Sequence, residues 1–128
     1  MDAPIVADSF VVAEWSDPGG PPDTAPRLIA PLHLHHADDE AWYVLEGVLC
    51  VRAGDRVIEA AAGGSVLVPR GTPHTYWNPG PGRLRYLLVM TRNIYELIRD
   101  IHALPERTPE ALGAVFRMHD SELLHSSA

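Results

Sequence analysis

Three histidines and one glutamate in the middle of the chain have the types and spacings of a single metal site. His33, His35 and Glu40 lie in HLHHADDEAWYVLEG (33–47), which reads H-x-H-x4-E-x6-G. His74 lies in GGSVLVPRGTPHTYWN (63–78), which reads G-x5-P-x-G-x2-H-x3-N. Imidazole nitrogens with one carboxylate oxygen suit a divalent transition metal ion such as Fe, Mn, Ni or Zn. Such a donor set can leave positions open for a substrate or for dioxygen.

These four must be brought together by strands. Side chains alternate faces along a strand, so His33 and His35 point one way and His36 the other. Only the first two are read as ligands. Ala37-Asp38-Asp39 reads as a turn that returns Glu40 beside the imidazoles, with Asp38 or Asp39 available to orient a ligand ring. His74 follows the turn Pro69–Pro73 at the start of another strand. His102, His119 and His125 lie in the tail and are read as solvated or structural.

Residues 5–91 consist of short apolar runs punctuated by Gly and Pro, the pattern of an all-β sandwich or barrel. The runs are Phe10–Trp15, Arg27–His35, Ala41–Leu45, Val48–Ala53, Arg56–Ala60, Ser65–Val68, His74–Trp77 and Leu84–Met90. Gly54-Asp55 predicts a tight hairpin, and Asn78–Gly82 a second one. DPGGPPDTAP (17–26) is a loop by composition and is expected to be an ordinary exposed one. After Thr91 the period changes. Asn93 is read as the cap of a helix with Ile94, Leu97, Ile98, Ile101 and Leu104 on one face, ended by Pro105. Thr108-Pro109-Glu110 predicts a second helix start, with Leu112, Val115 and Phe116 apolar. Both helices are expected on the outside of the barrel, with no part in any chemistry.

The two motifs resemble those of the cupin superfamily, whose members fold as a double-stranded β-helix, a small jelly-roll barrel. The likeness covers roughly Arg27–Met90. The first motif lacks the usual glycine six residues before its first His, where Arg27 stands. The second matches throughout, at Gly63, Pro69, Gly71, His74 and Asn78. The resemblance implies metal ligation by His33, His35, Glu40 and His74. It also implies one cupin domain over 1–128, with a barrel at about 5–91 and a helical tail at about 93–125. DEAWYVLEG, VPRGTPH and the tail are similar to small quercetin-dioxygenase-like cupins. That implies an oxygenase acting on a small aromatic or polyphenolic compound, with Glu40 as ligand and as the base that deprotonates the substrate. A non-redox cyclase, isomerase or lyase, and a non-catalytic binding module, are the other classes considered. Trp42, Val44, Cys50 and Tyr76 are expected to line the pocket, with Leu67 a further candidate.

Composition narrows the partners. The 128 residues carry a formal charge of −7, and all ten cationic side chains are Arg. With no Lys, lysine Schiff-base chemistry is excluded, and no basic stripe is available for nucleic acid. The single cysteine, Cys50, forbids an intrachain disulfide and fits a reducing, cytoplasmic compartment. No apolar run has the ~18 residues of a membrane helix, and MDAPIVADSF has no signal-peptide character. A homodimer is expected through the edge of the strand Phe10–Trp15.

Overall fold

The structure, a computed structural model, describes residues 2–21 and 24–124. The strands are β1 (Asp2–Val6), β2 (Val11–Asp17), β3 (Leu28–His35), β4 (Glu40–Glu46), β5 (Val48–Ala53) and β6 (Arg56–Ala61). Then come β7 (Ser65–Val68), β8 (His74–Trp77), β9 (Leu84–Met90), the helices α1 (Arg92–Ala103) and α2 (Pro109–Met118), and β10 (Ser121–Leu123). One antiparallel sheet has the order β1-β2-β9-β4-β7 and the other β10-β3-β8-β5-β6. From β2 to β9 every connection except β5–β6 passes from one sheet to the other. This is the all-β double-stranded β-helix the motifs implied.

Alternation fills the space between the sheets. Trp42 and Val44 of β4, Leu49 and Val51 of β5, and Leu84, Tyr86 and Leu88 of β9 are buried there. They gain stability by leaving water, at about 25 cal/mol per Å² of apolar surface removed. Gly47 makes the β4–β5 crossing possible. Its φ is +82°, and a Cβ there would stand 2.4 Å from the Arg83 carbonyl oxygen. Gly47→Ala is therefore expected to cost about 1–3 kcal/mol for its conformation alone, with the carbonyl clash added. Urea unfolding checks this, and a wild-type midpoint would overturn it.

Several expectations are corrected. Gly54 does turn the β5–β6 hairpin, where Ala53 faces Arg56. The segment Asn78–Gly82 instead carries the chain between sheets, because β8 and β9 are not paired. The first run is preceded by a further strand, so β2 lies between β1 and β9 and offers no free edge. Thr91 rather than Asn93 caps α1, its Oγ accepting from the Ile94 N–H at 3.1 Å. Thr108 caps α2 as read. The tail does not end as helix: β10 pairs with β3, placing Ser121 opposite His35 and Leu123 opposite His33. His125 lies outside the described residues. Among those described, no helix is long and apolar enough to cross a membrane.

Candidate metal centre

Three strands carry the quartet. β3 brings His33 and His35 to the barrel interior, β8 places His74 directly opposite His33, and β4 approaches from the other sheet with Glu40. His36 points away and meets Glu122 near the surface at 3.2 Å. Two turns are tied together beneath the site. Asp39 accepts from the Arg70 backbone N–H at 2.8 Å and pairs with its guanidinium. The Gly71 N–H donates to the His35 carbonyl. The turn before Glu40 and the turn before His74 are thus held in register. Asp38 serves differently, accepting from Asn93 of α1 at 2.8 Å. Both Asp38 and Asp39 therefore bond to groups other than the ligand imidazoles.

Each imidazole is oriented from behind through Nδ1. His33 donates to the Pro31 carbonyl at 2.5 Å and His74 to the Thr72 carbonyl at 2.9 Å. A carbonyl oxygen can only accept, so these Nδ1 atoms carry protons and the Nε2 lone pairs face the cluster. His35 Nδ1 lies 2.7 Å from Ser121 Oγ, whose own proton goes to the His119 carbonyl at 3.1 Å. The hydroxyl must then accept from His35, which leaves the same tautomer. No sequence motif marked Ser121. A three-residue strand carries no periodic signal, and its partner lies 86 residues earlier.

Glu40 Oε1 is 3.0 Å from His74 Nε2 and 3.5 Å from His35 Nε2. One ligand atom from each of the four residues can be chosen so that all lie within 4.8 Å of one another, and all four residues are buried. Burial works against the Glu40 carboxylate, but the His35 and His74 imidazoles beside it outweigh that penalty and lower its pKa to about 2. Burial, reinforced by His74, lowers His33 to about 3, so that ring is neutral at ordinary pH. Four acceptors converging in a dry interior repel one another unless a cation or protons sit among them. His35 Nε2 is buried and has no hydrogen-bond partner. The donor set fits a divalent transition metal, whose binding would release protons held between Glu40 and the imidazoles.

A cavity of about 190 Å³ opens from this cluster. His33, His35, Glu40 and Tyr76 face it from the barrel, with Trp15 and Tyr86. Ile94, Leu97, Ile98 and Ile101 of α1 and Leu112 and Phe116 of α2 complete the wall. The Phe116 ring lies 5.2 Å from the His33 ring. The helices therefore close the barrel mouth instead of decorating its exterior. His102, read as solvated or structural, lines the cavity too, as does Arg107 from the segment between the helices. The described residues of the loop, 17–21 and 24–26, stand apart, beside Asn78–Pro81.

Of the pocket residues expected from sequence, Tyr76 lines the cavity. Trp42 and Val44 are fully buried in the core behind it, Trp42 packing edge-on to His74 at 5.9 Å and to Tyr76 at 5.1 Å. Cys50 pairs with Trp77 on the opposite face of its sheet, since the inward neighbour Val51 pairs with Tyr76. Leu67 is 62% exposed on the outside.

The hydroxyl that orients His35 can be tested directly. Loss of such a supporting partner typically weakens metal affinity about 10–100-fold. Ser121→Ala is expected to fall in this range in competition titrations, while Glu122→Ala, on the exposed side of the same strand, stays at wild type. Equal affinities for both variants would remove Ser121 from the site.

The family model for the cupin domain matches residues 24–90, just over half of the chain. Among curated proteins, a mannose-1-phosphate guanylyltransferase of Salmonella muenchen is 34% identical over 53 residues, 41% of this chain. The chain spans only 11% of that relative's length. Among solved structures, TT1209 of Thermus thermophilus superposes with a TM-score of 0.58 at 22% identity. That match covers 70% of this chain and 81% of that one. A protein of Acidithiobacillus ferrooxidans, provisionally described as a sugar phosphate isomerase, gives 0.55 at 25% identity, covering 66% and 51%.

Proposed function

The chain belongs to the cupin domain family, and on that premise we propose that it is a metal-dependent oxygenase acting on a small aromatic compound. The observation that carries the reading is the joining of the three-histidine, one-glutamate cluster to an apolar cavity walled by Trp15, Tyr76, Tyr86, Phe116 and the aliphatic face of α1. Small-molecule sites combine such walls with a few convergent polar groups. An aromatic ring loses nothing there, whereas a sugar would forfeit hydrogen bonds to water for most of its hydroxyls.

The metal, when bound, would supply Lewis-acid stabilisation of a substrate oxygen and a place for dioxygen. The chain's own residues do the rest. His33, His35 and His74 hold their Nε2 atoms inward through the Nδ1 bonds already described. Glu40 takes up the proton of the substrate hydroxyl, as a carboxylate within reach of the cluster. Ile94, Leu97 and Phe116 keep water from the reacting oxygen.

Dioxygen uptake by Fe-, Mn- and Ni-loaded protein, measured across a panel of catechols and flavonols, tests this. Uptake with at least one metal and a single-ring catechol is expected, and Glu40→Ala that keeps its metal is expected to lose it. Silence across the panel would sink the oxygenase. The second reading, a non-redox metal-assisted isomerase, is favoured by the Acidithiobacillus likeness, and isomerisation of a sugar phosphate by Zn-loaded protein would establish it. A homodimer is proposed through the free edge of β1, where Ile5 is 64% and Val6 45% exposed. A monomer in solution scattering at micromolar concentration would contradict it.

A further inference from the structure

The cavity has two chemically different ends. At the closed end, His33, His35 and Glu40 are no more than 5% exposed. At the open end stand His102 and Arg107, both exposed. Between them the wall is apolar. Among the described residues Glu40 is the only carboxylate in the lining, so nothing at the rim neutralises Arg107. Its guanidinium makes no ion pair among the described residues. Pro105 and Pro109 flank it closely and restrict the segment, so Arg107 is held at the rim by stiff backbone. His102 sits beside the Trp15 ring at 6.0 Å. Burial, then the Arg107 charge, pushes this imidazole below its ordinary range. Arg107 is the one arginine among the described residues of the lining.

From this polarity we infer that the cavity takes a small single-ring aromatic carboxylate. Its hydroxyl oxygens turn toward the metal cluster and its carboxylate pairs with Arg107. The inference rests on the proposed aromatic substrate and adds its charge and size. A planar guanidinium matches a carboxylate with two parallel hydrogen bonds. The volume of about 190 Å³ is below the ~300–1,000 Å³ of clefts that take drug-sized molecules. One substituted ring fits that space better than a fused polyphenol. A phosphate monoester presents the same kind of anion, so the test must separate the two.

The experiment is calorimetric titration of Zn-loaded protein with 3,4-dihydroxybenzoate and with its methyl ester, which keeps the ring and hydroxyls but lacks the charge. The acid is expected to bind about tenfold more tightly, the scale of one hydrogen bond to a charged group. In R107Q that preference should collapse to less than about threefold, with ester affinity unchanged. Arg107 is exposed and makes no ion pair among the described residues, so the variant should fold, and the unchanged ester affinity verifies it. Repeating both titrations on metal-free protein should weaken both ligands and keep their ratio. Failure of the acid to bind, equal binding of acid and ester, or a preference that survives R107Q overturns the inference. So does tighter binding of mannose 6-phosphate, the phosphate probe. Binding with the expected preference but no dioxygen uptake would sink the oxygenase reading alone.

Discussion

A His33→Ala/His74→Ala variant is expected to lose stoichiometric binding of a divalent ion. The two rings face each other across the β3–β8 pair with centroids 4.2 Å apart, and their removal takes half of the donor set. The remaining His35 and Glu40 still face each other, but two donors in a cavity enlarged by two missing rings cannot replace the hydration shell of the ion. Removing a mere supporting partner costs about 10–100-fold in affinity, so losing two ligands should exceed the upper figure. Stability gives an independent reading. Wild-type protein at a metal concentration a hundredfold above Kd gains about 2.7 kcal/mol by mass action, and the variant should gain none. Metal content after desalting, with thermal unfolding in the presence and absence of the ion, checks both. A variant that retains one ion per chain would refute the ligand assignment.

Trp42→Ala is expected to be the most damaging single change to the fold. The side chain is fully buried, packs edge-on against Tyr76 and His74, and belongs to the central cluster of the barrel. Truncation of a buried Trp to Ala costs about 3–5 kcal/mol, the range reflecting how far neighbours collapse into the void. Here collapse is limited, because β4 is paired on both sides, with β7 and β9. Tyr43 is the natural control: next along the same strand, it faces outward and is 44% exposed. Tyr43→Ala should stay within about 0.5 kcal/mol of wild type. Urea midpoints for the pair decide the matter. A Trp42→Ala loss as small as that of Tyr43→Ala would show that the barrel core is not packed as described.

Much of the barrel was legible in the sequence, because period-2 alternation is a local property. It separated His36 from His33 and His35, and it marked the β5–β6 hairpin through Gly54. The same rule should have removed Cys50: Val51 and Cys50 are neighbours, and only one can face Tyr76 across the sheet. Leu67 fails likewise, since Val66 and Val68 are the inward residues of β7. Other features were not local. The apolar stripe of α1 announces that a face will be buried but not what it will cover, so the closing of the barrel mouth by Leu97 and Phe116 could not be read. Asn93 has the character of a cap, yet its amide is spent on Asp38 and the His119 carbonyl. Ser121 resembles any serine in a polar tail until β10 is laid beside β3.

That last strand has a consequence for the order of events during synthesis. All four ligands of the quartet and all nine earlier strands have been translated by the time residue 90 is added. Yet the hydroxyl that fixes the His35 ring belongs to residue 121, and β3 has no partner on that side until β10 arrives. A nascent chain can therefore close its barrel early and still hold an unaimed imidazole. Emergence of β10 from the ribosome thus adds to a finished quartet the one partner whose loss is expected to cost about 10–100-fold in affinity.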